Sequence, residues 1–130
     1  MTKKQNKMKK VILIFTLLVT TLAFAQDKNK KASIEVDGVC GMCKERIEKA
    51  AIRTKGVKSA VWSVDTHELK LIFDERKTDL TKISKGVAAV GHDTKEIKAT
   101  DEQYHSVHAC CLYRDEDVKK DHEKEKQDGQ

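Results

Sequence analysis

The segment Cys40-Gly41-Met42-Cys43 sets two thiols two residues apart. Such a pair can meet one soft metal ion or close one disulfide. Metal is bound by thiolate rather than thiol, and the positive end of a helix favours the thiolate form. Ile47, Ala50 and Ala51 follow at helical spacing, so Cys43 falls at a helix start and is the cysteine expected to be held toward thiolate. Cu(I) tolerates two sulfur ligands, whereas a structural Zn site wants four. On the residues alone three readings of the pair stay open: reversible soft-metal binding, thiol–disulfide redox chemistry, and a structural disulfide. A disulfide across so short a spacer closes a very small loop and contributes little stability.

A second group of metal-capable residues lies further on, in Tyr104-His105-Ser106-Val107-His108-Ala109-Cys110-Cys111-Leu112-Tyr113. Adjacent cysteines bond to each other only with strain, so Cys110 and Cys111 are expected to reach other partners. Fully extended, the chain from Thr100 to Cys110 spans up to ~30 Å at ~3.3 Å per residue, more than the ~20 Å of a six-residue strand. The segment is therefore long enough to return to the Cys40–Cys43 loop, with Leu112 and Tyr113 as apolar anchors. His105 and His108 are three apart and share a face if helical. With Cys110 and Cys111 they make a compact set suited to Zn, Cu or Ni. The alternatives are an exposed polar turn for the histidines and, for the cysteines, Cys110 as a buried small hydrophobe or Cys110 or Cys111 bonded to another cysteine. His92 is a further candidate near the dithiol. Met42 is expected as a core anchor or loop filler, and His67 and His122 as solvated.

The elements that would position these residues follow from periodicity. Ser33 to Asp37 alternates as a strand with Ile34 and Val36 inward. The helix from Cys43 runs to Lys55 and stops at Gly56. Val57 to Val64 and Leu69 to Phe73 read as two strands around the turn Asp65-Thr66-His67-Glu68. Asp79 caps a second helix carrying Leu80, Ile83, Val87 and Val90. Thr94 to Ala99 is a weak fourth strand. The order β-α-β-β-α-β predicts an α+β, ferredoxin-like sandwich: a four-stranded antiparallel sheet with two helices on one face.

Before this body stands a Lys-rich start and a 15-residue apolar run, Val11 to Ala25, ending in Ala23-Phe24-Ala25. That is the pattern of a cleaved signal peptide over 1–25. As a helix the run spans about 22 Å, short of the ~30 Å bilayer core. The expectation is an exported protein, periplasmic or secreted, with no stable membrane span after cleavage. Arg114 to Gln130 is charged with both signs and nearly devoid of apolar residues, which predicts a disordered tail. The chain has 130 residues and a net charge of +5, yet five of its lysines lie in the first ten positions, and the remainder holds 21 basic and 21 acidic residues. A body of zero net charge argues against nucleic acid as a partner. No Ser/His/Asp constellation and no phosphate loop appears, so no enzyme is expected.

These residues resemble the heavy-metal-associated domain of copper metallochaperones, of copper-transporting ATPases and of the periplasmic mercury-binding protein. The likeness runs through Val36-Asp37-Gly38-Val39-Cys40-Gly41-Met42-Cys43, Ile47-Glu48-Lys49-Ala50, Gly56-Val57, Ala60 and Gly91. The Met lies between the cysteines rather than before them, and His92 stands where the family carries an aromatic residue. The resemblance implies a domain over 32–100, followed by a Cys/His-containing extension over 101–113. It implies Cys40 and Cys43 as the ligands of a heavy-metal ion, Cu(I) first, with Zn or Hg as alternatives. It also implies a metal-transporting membrane protein as partner. The function expected is capture and transfer of the ion. The alternatives are a periplasmic thiol–disulfide redox protein using the same cysteines, and passive sequestration with Cys110-Cys111 closing the site.

Overall fold

The structure is a computed structural model that describes residues 5–7, 9–10 and 25–129. Of the apolar run Val11 to Ala25 in the expected leader 1–25, residues 11–24 lie outside the described residues. Three strands, β1 (Lys30–Glu35), β2 (Val57–Trp62) and β3 (Glu68–Phe73), form an antiparallel sheet in the order β1-β3-β2. The register pairs Ile34 with Leu69 and Ala32 with Leu71, and on the other side Trp62 with Leu69 and Ala60 with Leu71. Leu69, Leu71 and Phe73 therefore share one face, and all three are buried.

Helices α1 (Gly41–Arg53) and α2 (Leu80–Ala89) cover that face. In α1, Cys43, Ile47, Ala50 and Ala51 are the buried positions, a single apolar stripe. In α2 the stripe is Ile83, Ser84, Val87 and Ala88, and the Asp79 carboxylate caps the helix by accepting from the Lys82 N–H at 2.8 Å. Trp62 closes the end of the core nearest the dithiol, and its indole N–H donates to the Val36 carbonyl at 3.0 Å. No helix among the described residues is long and apolar enough to cross a membrane.

The expected fourth strand does not form. The sheet has three strands, and the segment after α2 contributes one antiparallel bridge, Val36 to Thr94. Beyond that bridge and the neighbouring Lys95 N–H to Glu35 carbonyl bond at 3.2 Å, several of its backbone groups are satisfied locally instead. The Ile97 N–H donates to Thr94 Oγ1 at 2.9 Å, the Thr94 N–H to the Ile97 carbonyl at 2.8 Å, and the Ala99 N–H to the Asp93 carboxylate at 2.8 Å. Side chains that take backbone donors in this way compete with a strand ladder. The turn sends the chain back toward the dithiol rather than along the sheet.

It continues as α3 (Asp101–His105), which starts with a capping box between Thr100 and Gln103. A 3-10 turn (Ala109–Cys111) follows, then α4 (Glu116–Asp128). The tail expected to be disordered is thus helical over Glu116–Asp128, although it buries no residue, as its composition requires. Its helicity has local causes. Asp115 caps it by accepting from the Asp117 N–H at 2.9 Å, Glu116 and Asp117 occupy the positive end, and Lys119 pairs with Glu116 at 2.9 Å.

Candidate metal centre

Cys40 stands immediately before α1, with extended backbone angles. Its carbonyl accepts the Lys44 N–H that opens the helix, at 3.1 Å. Cys43 lies one turn in and points to the core, fully buried, with the Val39 N–H donating to its sulfur at 3.4 Å. The two sulfurs are 3.3 Å apart. Gly38 allows the loop to lie this close to the core. A Cβ there would sit 2.9 Å from the Trp62 ring and 3.0 Å from the Cys43 Cβ.

Cys110 and Cys111 return to the same place. Cys40 Sγ is 3.6 Å from Cys110 Sγ and 3.5 Å from Cys111 Sγ, and the last two are 3.9 Å apart. These three sulfurs lie within 4.8 Å of one another and form a group able to hold a metal ion. All four cysteines are free thiols. Cys43 and Cys111 are buried, while Cys40 and Cys110 keep partial access to solvent. Met42 is half exposed rather than a core anchor, and its thioether accepts from the Cys110 thiol at 3.4 Å.

The acidities separate the thiols. Burial works to raise Cys40, but the Cys43 amide at the helix start and the thiols of Cys43, Cys111 and Cys110 outweigh it, and its pKa falls below the ordinary value. Burial pushes the Cys43 thiol up. The sequence placed the activated thiol on Cys43, whereas the structure gives that property to Cys40. The helix end acts on the sulfur that precedes it, while the sulfur inside the first turn is desolvated. Burial and the facing Cys43 and Cys40 sulfurs hold Cys111 well above the ordinary thiol range. Burial and Cys40 also raise Cys110.

None of the candidate histidines joins the sulfur group. His92 is fully buried behind the loop. Its Nδ1–H donates to the Asp37 carbonyl at 2.9 Å, and its ring stacks on Tyr113 at 5.4 Å. His105 is exposed and meets Tyr104 edge to face. His108 caps the 3-10 turn, its Nδ1 accepting from the Cys110 N–H at 3.4 Å. His122, expected to be solvated, is part-buried and donates from Nε2 to the Cys110 carbonyl at 3.0 Å. His67 stacks on Trp62 at 5.8 Å.

The groups that hold the extension carry no sequence motif. Asp93, nearly buried, receives Arg114 Nη2 at 2.8 Å and Nε at 3.1 Å. This two-pronged pairing holds the Asp93 carboxyl below its usual range although burial works the other way. The Arg114 guanidinium lies 4.3 Å over the Tyr104 ring and also donates to the Ala99 carbonyl at 2.9 Å. Tyr113 donates its O–H to the Gly91 carbonyl at 2.7 Å and accepts the Asp93 N–H at 2.9 Å. An ion pair across 21 residues gives no local signal in a sequence.

Residues 33–93 match the heavy-metal-associated domain. The match ends at Asp93, so Cys110 and Cys111 lie outside it. A copper chaperone CopZ of Staphylococcus haemolyticus (strain JCSC1435) is 27% identical over 63 residues, 48% of this chain and 93% of the relative. Among solved structures, a CopZ metallochaperone is 24% identical with a TM-score of 0.49, covering 50% of this chain and 98% of its own. Oxidized MerP from Ralstonia metallidurans CH34 is 25% identical with a TM-score of 0.49, covering 52% of this chain and 94% of its own.

Proposed function

We propose that this chain is an exported carrier of a soft metal ion. It captures the ion on Cys40 and Cys43 and passes it on by exchange of thiolate ligands. Cu(I), which tolerates two sulfur ligands, is the proposed cargo, with Zn(II) or Hg(II) as alternatives. A metal-transporting membrane protein is the partner. The observation that carries the reading is the Cys40 sulfur. It has the lowered pKa of the four thiols, keeps access to solvent, and sits 3.3 Å from Cys43 at a helix start. A sulfur placed this way meets an incoming ion from solvent and, as thiolate, exchanges ligands with an incoming thiolate. The domain match and the likeness to a copper chaperone support copper as cargo. Export rests on the Lys-rich start, the apolar run and Ala23-Phe24-Ala25.

The test is a competition titration of the reduced protein with Cu(I) under anaerobic conditions. Cys40→Ser and Cys43→Ser are each expected to lose most of the affinity. Both variants binding like the parent would overturn the reading. So would rapid turnover of a test disulfide by metal-free protein, which belongs to the redox alternative.

A further inference from the structure

We propose that the C-terminal extension completes the metal site, with Cys110 and Cys111 binding the same ion as Cys40 and turning a dithiol into a holding site of three or four thiolates. The inference rests on the proposed soft-metal reading of Cys40 and deepens it.

The geometry favours this over a pair acting alone. With metal–sulfur bonds of about 2.3 Å, two sulfurs in line stand about 4.6 Å apart, whereas sulfurs in a trigonal or tetrahedral shell stand about 4.0 or 3.8 Å apart. The Cys40–Cys110, Cys40–Cys111 and Cys110–Cys111 separations are 3.6, 3.5 and 3.9 Å, close to the edges of such a shell. Cys43, 3.3 Å from Cys40, stands beside this triangle but outside the set whose sulfurs all lie within 4.8 Å of one another, and a shell of four needs it to draw in. On binding, each ligating thiol gives up its proton to solvent and forms one metal–sulfur bond, with no change of oxidation state. The class of ligand is a soft ion that accepts three or four sulfurs, which includes Cu(I), Zn(II), Cd(II) and Hg(II).

The triangle is held from both sides. Ahead of the Cys pair, Val107 packs into the core beside Gly91. Behind it, Tyr113 is tied to Gly91 and Asp93, and Arg114 closes on Asp93, Ala99 and Tyr104. The His122 bond to the Cys110 carbonyl fixes the turn itself. Asp93, Tyr113 and Arg114 are therefore positioning residues of the site. Their contacts set where the two extra sulfurs stand, in the way that outer partners orient metal ligands elsewhere.

The experiment uses the purified protein, loaded anaerobically with one equivalent of Cu(I), with X-ray absorption to count bound sulfurs and a chelator to time release. The parent is expected to show three or four sulfurs. Cys110→Ser with Cys111→Ser should show two, and should release the ion about ten to a hundred times faster. Arg114→Gln leaves all four cysteines in place, yet it should lower the sulfur count and speed release. That result is not produced by a residue that only adds stability. Cys110→Ser alone touches a partly exposed side chain and guards against a misfolded double variant. It should lose one sulfur while the thermal transition stays in place. If the parent binds Cu(I) through two sulfurs and the Cys110/Cys111 variant releases it at the same rate, the inference fails while the dithiol reading stands. If Cys40→Ser retains the full site, both fail.

Discussion

The Cys40–Cys43 loop and the Cys110–Cys111 turn end at the same point in space but are built by opposite means. The first is local. A strand end, a glycine-bearing loop and a helix start place both sulfurs within a few residues, and the Cys43 amide at the helix start is among the groups that lower the Cys40 pKa. The second is assembled from a distance. Its sulfurs arrive by way of a turn at Thr94–Ile97, a capped short helix, and an ion pair between Asp93 and Arg114. A local device survives in any chain with the right short motif. The distant one depends on side chains that are individually ordinary. It follows that variants outside both cysteine pairs should separate the two regions.

The largest separation is expected from Gly91→Ala. Gly91 has a φ of +97°, and a Cβ there would fall 2.5 Å from both the Gln103 carbonyl oxygen and a Val107 methyl. The backbone strain alone is about 1–3 kcal/mol. Steric conflict with α3 adds to it. Amide exchange over 101–113 should accelerate strongly, while the amides of α1 around Cys43 keep their protection. Equal loss in both regions would show that the extension is part of the same folding unit as the dithiol loop.

A smaller effect is expected from acid. Burial holds the His92 imidazole below its ordinary pKa. The Arg46 charge adds to this, and the Asp37 carbonyl and the Asp93 and Asp37 charges oppose it. The unfolded chain therefore binds a proton that the folded chain does not. This stability is present above about pH 6.5 and is lost as pH falls through that value toward the lower folded one. The melting temperature should drop between about pH 7 and pH 5, and His92→Gln should flatten the drop. A slope unchanged in His92→Gln would place the acid sensitivity elsewhere.

The smallest effect is expected on α4. Lys126 pairs with Asp65 at 3.3 Å, and both are largely exposed. Lys126→Ala should change stability by less than about 0.5 kcal/mol in a denaturant melt. A larger loss would mean that the tail is fastened to the body through this pair.

The contrast also explains what could be read from the residues. The β-α-β-β-α order and both helix stripes were legible, because Ile47, Ala51, Ile83 and Val87 repeat at helical spacing and Leu69, Leu71 and Phe73 alternate. The fourth strand is expected from the sequence and absent from the sheet. Thr94 and Asp93 look innocuous in a strand, and nothing in the sequence tells that their side chains capture the N–H groups of Ile97 and Ala99. The tail was read as disordered because it has no apolar stripe, whereas capping and close ion pairs are enough to give it a helix. Reach and ligand type made a return of Cys110 and Cys111 foreseeable. The latch that performs it was not, because Asp93 and Arg114 are a bond only in three dimensions.

The central claim is that the two cysteine pairs form one site around Cys40. The most direct measurement is the stoichiometry of Cu(I) bound tightly by the reduced protein, by anaerobic titration against a competing chelator. One tight ion per chain, abolished by Cys40→Ser, is the predicted result. Two tight ions per chain, with one remaining in Cys40→Ser, would mean that Cys110-Cys111 is a separate site and would contradict the account.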